Sequence, residues 1–180
     1  LGTPPRVDAF AAATRSLKAE APAFALMDEG EKLLAKKDAR GAAAKFDEAA
    51  RLAPRQAILP ALKAIALLEA NEYRSARDAA REAARRDPTL FHGRLGGGVA
   101  AWRLSDYRDA VSELEAAETS AGAQLVTTYY LGRSWEALGE REKAVEKYRL
   151  VAASGTTGEP ADYAKRRLLE WGVVSPQPAR

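Results

Sequence analysis

Few residues of this chain are of the types that enzymes use for catalysis. The 180 residues include a single histidine, His92, and no cysteine. Zinc sites and histidine-assisted nucleophiles need several such groups close together, so we expect no metal site, no cofactor and no catalytic residue. The lack of cysteine also excludes disulfides and leaves the redox compartment open. The composition therefore predicts a protein that is not an enzyme.

Acidic residues are numerous, but they alternate with basic residues at helical spacing. An example is the set Asp78, Arg81, Glu82 and Arg85. Spacings of three and four place opposite charges side by side on a helix, so we interpret such sets as surface ion pairs rather than paired catalytic carboxylates.

A run of three glycines, Gly96-Gly97-Gly98, is the second feature that could do chemistry. It lacks the Lys-Ser or Lys-Thr of a phosphate-binding loop and lies inside a helical pattern, which disfavours phosphate binding. Two interpretations stay open: close contact between helices, or a soft segment that flexes or admits a ligand backbone.

The elements that must position these residues repeat along the chain every 34 positions. Each unit holds two alanine-rich stretches separated by a short polar turn, which predicts a pair of helices. Small residues keep the register at Gly30, Ala42, Ala64, Ala76, Gly98, Ala110, Gly132 and Ala144. Phe46, Ala80, Leu114 and Tyr148 follow four residues after the alanines. Small residues let two helix backbones approach closely, and stacked pairs share a core that one pair lacks.

This register resembles that of the tetratricopeptide repeat (TPR) family. The matching residues are Gly30, Ala42, Phe46, Ala49 and Pro54 in the first unit and Leu131, Gly132, Trp135, Ala144 and Tyr148 in the fourth. The resemblance implies an all-α fold, an α-solenoid (right-handed superhelix) of four TPR helix pairs with an extra N-terminal helix and a C-terminal capping helix. The repeats are expected at 23–56, 57–90, 91–124 and 125–158.

The two ends of the chain differ from the repeats in a way that predicts capping. Residues 1–22 carry a stripe at helical spacing, Val7, Phe10, Thr14 and Leu17. Pro22 is expected to interrupt the chain before the first repeat. The capping helix is expected over 159–172, with Gly172 at its end. Residues 173–180 are predicted to be disordered.

Charge and hydropathy narrow the classes of partner. The chain is 47% hydrophobic and 29% charged, with a net charge of +3 and a pI of about 9.2. Acidic residues are mixed along every repeat, so the field is weak and nucleic acid is disfavoured. No stretch is long and apolar enough to span a membrane. The start without methionine predicts a processed or excised piece, with its compartment, periplasmic, otherwise extracytoplasmic or cytoplasmic, left open.

The resemblance implies that the first helices of the units line a concave surface that binds a protein or peptide. Carried over by position, the groove residues are Met27, Glu31, Ala61, Ile65, His92, Leu95, Val99, Arg103, Tyr129, Arg133 and Glu136. The lining is mainly apolar with a polar far end, which suits a peptide that buries apolar side chains and is oriented by charge. For each residue, packing between adjacent helices is the alternative interpretation.

The resemblance also disfavours one ligand of the family. Chaperone-binding members hold a C-terminal carboxylate with Lys, Asn and Arg residues, whereas the matching positions here are Met27, Glu31, Leu62, His92 and Gly96. We therefore expect no chaperone carboxylate clamp. The leading hypothesis is a noncatalytic protein–protein interaction module or scaffold. The alternatives are a C-terminal accessory TPR domain of a larger enzyme, such as a bacterial envelope peptidase, and a homo-oligomer formed through the same apolar surfaces.

Overall fold

Nine α-helices make up the part of the chain that the computed structural model describes, the backbone of residues 6–173 with side chains from residue 20 onward. They are α1 (Arg6–Ala35), α2 (Ala39–Leu52), α3 (Ile58–Glu69), α4 (Tyr73–Arg86), α5 (Phe91–Arg103), α6 (Tyr107–Ala121), α7 (Leu125–Ala137), α8 (Arg141–Ala153) and α9 (Glu159–Glu170). This part of the chain contains no strand. The side chains of the predicted N-terminal stripe and residues 174–180 of the predicted tail lie outside the described residues.

The helices stack as pairs, each helix packing against the next along the chain. The first helices of the pairs also touch one another, α3 with α5, α5 with α7 and α7 with α9, whereas the second helices pack mainly against first helices. In a curved stack, elements on the inner side lie closer together than those on the outer side. We therefore call α3, α5, α7 and α9 the inner layer, with α1 in the corresponding place of the first pair. The predicted α-solenoid of helix pairs is confirmed.

The turn between the two helices has the same backbone conformation in all four pairs. A left-handed backbone conformation occurs, with φ of 66°, 60°, 62° and 79°, at Lys37, Asn71, Ser105 and Gly139. The following N–H then bonds to the carbonyl five residues earlier, as from Asp38 to Leu33 at 2.9 Å. This hydrogen bond satisfies a carbonyl that the helix end leaves unpaired. The polar turn pairs seen in the sequence are thus the C-terminal caps of the first helices.

Glycine occupies the first helix wherever the second helix presents a large side chain. A Cβ placed on Gly98 would lie 2.5 Å from Leu114 Cγ, and one placed on Gly132 would lie 2.7 Å from the Tyr148 ring. Neither distance can be accommodated without movement of the neighbour. The glycines at these register positions therefore set how closely the two helices of a pair approach.

The second pair solves the same packing problem with two small residues, Ala64 and Ala80, both buried. The helix of the next pair then comes close, because Gly96 and Gly97 lie against these alanines. A Cβ would sit 3.4 Å from the Ala64 methyl at Gly96 and 3.6 Å from the Ala80 methyl at Gly97. Of the two interpretations of the glycine run, close helix contact is the one visible in the structure.

The first helix departs from the sequence prediction at Pro22. Proline was expected to interrupt the chain there, but α1 runs through it from Arg6 to Ala35. Contacts on both sides of the proline hold the helix together. Before it, Gln56 Nε2 donates to Glu20 Oε2 at 2.8 Å, and after it Ala23 is fully buried against the second helix. The N-terminal helix expected before the first repeat is therefore continuous with the repeat's own first helix.

The last helix, α9, covers the end of the stack. Its Ala164 and Leu168 are buried in one cluster with Tyr148 and Val151 of α8. Gly172 follows the helix with φ of 68°, at the place where the sequence predicted the end.

Candidate partner-binding site

The predicted groove residues lie at three levels of burial. Those exposed to solvent are Glu31, His92 and Arg103. Those partly buried are Met27, Ile65, Leu95, Arg133 and Glu136. Those buried, with exposed fractions of 0%, 9% and 4%, are Ala61, Val99 and Tyr129. The three buried residues are therefore packing positions with little surface that a ligand could reach.

The structure connects the predicted residues of α5 and α7 but not those of the first two pairs. Met27 packs against the core cluster that contains Phe46. Leu95 instead packs, as Trp102 and Tyr130 do, against the core cluster that contains Leu114 and Leu131. The guanidinium of Arg103 also lies near Trp102, with 5.5 Å between its central carbon and the ring centroid. The far end of the inner layer is therefore where predicted residues converge.

Arg133 lies at the centre of this convergence, among rings from three first helices. Its guanidinium carbon is 4.7 Å from the ring centroid of Trp102 on α5, 4.1 Å from that of Tyr163 on α9 and 5.7 Å from that of Tyr129 on its own helix. Tyr130 meets Trp102 edge to face at 5.2 Å between centroids. Cations are attracted to the negative faces of aromatic rings. We call Trp102, Tyr129, Tyr130, Arg133 and Tyr163 the Arg133 cluster.

A chain of hydrogen bonds fixes the orientation of Arg133. Its Nη1 donates to the Tyr129 hydroxyl at 2.8 Å, and that hydroxyl donates to Glu159 Oε1 at 2.8 Å. Burial, and then the hydrogen bond to Glu159, raises the pKa of Tyr129 to about 12. The phenol therefore stays protonated at neutral pH and keeps the arginine and the carboxylate linked.

Glu136 has a structural set of partners instead of a free surface. It accepts hydrogen bonds from the hydroxyls of Tyr148 and of Tyr163, the latter at 3.0 Å, and forms an ion pair with Arg167. Its side chain is 18% exposed. These contacts tie α7 to α8 and α9, so among the predicted groove residues of α7 it is Arg133 that has hydrogen-bonding capacity left.

Three members of the cluster, Trp102, Tyr130 and Tyr163, were not predicted as site residues. One signal in the sequence would have found Tyr163. It follows Tyr129 by 34 positions, as Arg167 follows Arg133, so the repeat register continues into α9. For Trp102 we find no such signal, because its contacts depend on how closely α5 and α7 approach each other.

A metal-binding cluster and a membrane-spanning helix are absent from the described residues. Across residues 20–173 no group of three or more His, Cys, Asp or Glu side chains is placed to hold a metal ion. Over the helices of residues 6–173 no segment is long and apolar enough to cross a membrane.

Solved structures with the same arrangement of helices are TPR proteins. MamA from residue 41 to its end, of Desulfovibrio magneticus RS-1, superposes with a TM-score of 0.72 at 18% identity, over 85% of this chain and 87% of its own. A thermophilic TPR protein of Thermus thermophilus superposes with a TM-score of 0.71 at 20% identity, over 84% of each chain. The chain has the tetratricopeptide repeat fold.

A third TPR structure is a complex. The first TPR domain of Spaghetti (RPAP3), bound to an HSP90 peptide, superposes with a TM-score of 0.63 at 18% identity, over 66% of this chain and 94% of its own. By sequence, no family model and no curated protein matches the chain. The similarity to TPR structures therefore concerns the fold, and the function is argued from the site.

Proposed function

We propose that this TPR chain is a noncatalytic protein-interaction module whose inner layer binds an extended peptide of a partner protein. The observation that carries the proposal is the Arg133 cluster. Tryptophan, tyrosine and arginine are the residues that most often dominate binding energy at protein interfaces. Here they meet on three adjacent first helices, where Arg133 lies between Trp102 and Tyr163.

The arrangement of the inner layer suits a peptide in extended conformation. Trp102 on α5, Tyr130 on α7 and Tyr163 on α9 succeed one another across helices that lie side by side. The partly buried Leu95 and Ile65 continue the apolar surface toward α3. An extended peptide can place alternate side chains against such a row. The RPAP3 domain bound to an HSP90 peptide supports a peptide ligand for a chain of this fold.

The proposed partner is not a chaperone tail. The positions that hold a C-terminal carboxylate in chaperone-binding TPR proteins carry no lysine or arginine here. Glu31 is exposed at one of them and would repel a carboxylate. Gly96 at another is buried against Ala64. We propose instead a protein or peptide with apolar side chains and some charge.

Photocrosslinking to a selected peptide tests the proposal. A random peptide library is panned on the immobilised chain, and the most enriched peptide is synthesised. A benzophenone amino acid is then introduced at position 92, which is exposed on α5 of the inner layer, or at position 150, which is 52% exposed on α8. We expect crosslinking from position 92 and none above background from position 150.

Two results would contradict the proposal. One is a library from which the folded chain enriches no peptide. The other is crosslinking from position 150 without crosslinking from position 92, which would place the ligand on the second helices. Far-UV circular dichroism and the melting temperature of each labelled variant serve as folding controls.

A further inference from the structure

The chain contains two arginines at the same register position whose surroundings differ. Arg133 on α7 and Arg167 on α9 are 34 positions apart. Arg167 forms ion pairs with Glu136 and Glu170. For Arg133 no carboxylate of residues 20–173 comes within ion-pair distance, and the hydrogen bond that it donates goes to the neutral Tyr129 hydroxyl. Arg167 is therefore paired directly with carboxylates, whereas Arg133 reaches the Glu159 carboxylate only through the Tyr129 hydroxyl.

Among residues 20–173, the remaining donors of Arg133 have no hydrogen-bond partner. A guanidinium has five N–H donors, and none of the Arg133 nitrogens belongs to the buried atoms that lack a hydrogen-bond partner. Trp102 and Tyr163 approach the guanidinium from α5 and α9, the helices on either side of α7. Rings that cover the faces of a guanidinium leave its edge open, and the edge is where a carboxylate binds with two parallel hydrogen bonds.

We propose that Arg133 is the binding position for an aspartate or glutamate side chain in the partner peptide. This inference rests on the proposed function, because it names the chemistry that the same surface recognises. A partly buried cation that no carboxylate contacts directly is complementary to an anion, and the aromatic contacts already offset part of the cost of removing water from it. The rings would restrict the approach of the carboxylate to the plane of the guanidinium.

The position of Arg133 favours a side chain within the peptide over a carboxylate at its end. The inner layer extends beyond Arg133 in both directions, to Tyr163 on α9 and to Leu95 and Ile65 on α5 and α3. A peptide in this groove can therefore continue past the arginine on both sides. A peptide that ended at Arg133 would use this surface in one direction alone.

Peptide selection against wild-type and variant chains tests the inference. Random 14-residue segments are displayed between fixed flanking sequences, so that no free C-terminus is within reach, and are panned against the wild type and Arg133→Met. We expect the wild type to enrich Asp or Glu at one position relative to an apolar residue. Arg133→Met, which keeps the length of the side chain, should lose that preference and retain the apolar one. Arg149→Met, at an exposed position of α8, is the matched control and should keep both.

A binding cycle gives the magnitude. The most enriched peptide is made with acetylated and amidated ends, together with its Glu→Gln form, and Kd is measured by fluorescence anisotropy. The Glu→Gln form should bind the wild type about tenfold more weakly, as expected for loss of a charge-assisted hydrogen-bonded pair. The Glu and Gln forms should bind Arg133→Met with the same Kd. Should Arg133→Met not fold by circular dichroism, Arg133→Lys replaces it, and the discrimination between the two peptides should fall severalfold because lysine lacks the two-pronged edge.

The outcomes separate the proposed peptide-binding function from the assignment of Arg133 to an acidic side chain. If the wild type enriches no peptide, the proposed function fails and the inference with it. If peptides are enriched without an acidic position, or the Glu→Gln form loses equal affinity for the wild type and for the Arg133 variant, the inference alone fails. A second library with free C-termini completes the test. An acidic preference found there and absent from the flanked library would overturn the assignment to an internal side chain.

Discussion

Tyrosines at the far end of the inner layer show how burial changes a single residue. Desolvation, and then a hydrogen bond to Glu159, raises the pKa of Tyr129 to about 12. Burial together with a hydrogen bond to Glu136 raises the pKa of Tyr148, and burial raises that of Tyr163. Each phenol donates to a carboxylate, which a phenolate could not do. These three hydrogen bonds contribute to the stability of the fold only while the phenols are protonated.

The first prediction concerns alkaline pH. In the unfolded chain tyrosine ionises near pH 10, whereas in the folded chain Tyr129 holds its proton to about pH 12. The folded state then binds more protons than the unfolded state, so the contribution to the free energy of unfolding is complete below about pH 10 and is lost as the pH rises through about 12. Urea unfolding at several pH values measures this loss. Absorbance at 295 nm should show tyrosines that ionise above pH 10 in the folded chain and near pH 10 in the urea-unfolded chain. Tyr129→Phe should make the loss less steep; an identical pH dependence in the variant would contradict the assignment.

At the scale of elements, the pairing of small and large residues sets how closely helices approach. Gly98 faces Leu114 across its own pair, while Gly97 faces Ala80 of the pair before it. The first contact leaves no room for a methyl group and the second leaves room for one. Adjacent glycines of one run therefore have different roles, which their identity alone does not show.

The second prediction compares alanine at these two glycines. Gly98→Ala places a Cβ 2.5 Å from Leu114 Cγ and should lower the free energy of unfolding by about 1–3 kcal/mol through overpacking. Gly97→Ala meets neighbours at 3.6 Å and should raise it by up to about 1 kcal/mol, since alanine favours the helix. Urea denaturation measures both. Leu114→Ala should reduce the cost of Gly98→Ala in the double variant, and equal effects of the two alanine substitutions would show that the packing is not as described.

At the scale of the whole molecule, stability comes from stacking, because each pair buries apolar side chains against the next pair. Helix α9 ends this sequence of contacts by burying Ala164 and Leu168 against α8. Leu169, next to Leu168 on the same helix, is 75% exposed. The same helix therefore presents one face to the stack and leaves another in solvent, as expected for an element that closes a solenoid.

The third prediction uses these neighbouring leucines. Leu168, which is 1% exposed, should cost about 2–5 kcal/mol when replaced by alanine, because a cavity forms at the end of the core. Leu169→Ala should change the free energy of unfolding by less than about 0.5 kcal/mol, as is usual for an exposed position. Thermal and urea unfolding of the two variants measure the difference. If the two substitutions had the same effect, α9 would not be part of the folded stack.

The sequence alone determined the repeat. The 34-residue spacing of small residues, turn pairs such as Ser105-Asp106 and the apolar periodicity can be seen along the chain without any tertiary contact, so the number of pairs and the kind of fold could be predicted from them. The resemblance to the TPR family, carried over by position, is what assigned Arg133 to a first helix. The sequence also predicted that α9 ends close to Gly172, because glycine favours the left-handed turn that follows the helix.

The tertiary structure alone decided what these residues do. Helix α1 continues through Pro22, with Glu20 before the proline bonded to Gln56 of the loop between α2 and α3 and Ala23 after it buried against α2. Glu136 is occupied by Tyr148, Tyr163 and Arg167, whereas Arg133 lies near the rings of Trp102 and Tyr163. Such contacts join side chains that are distant in the sequence, and their distances depend on how closely the helices pack. The period of the sequence brings residues to the same face, but the separation between helices determines which of them meet.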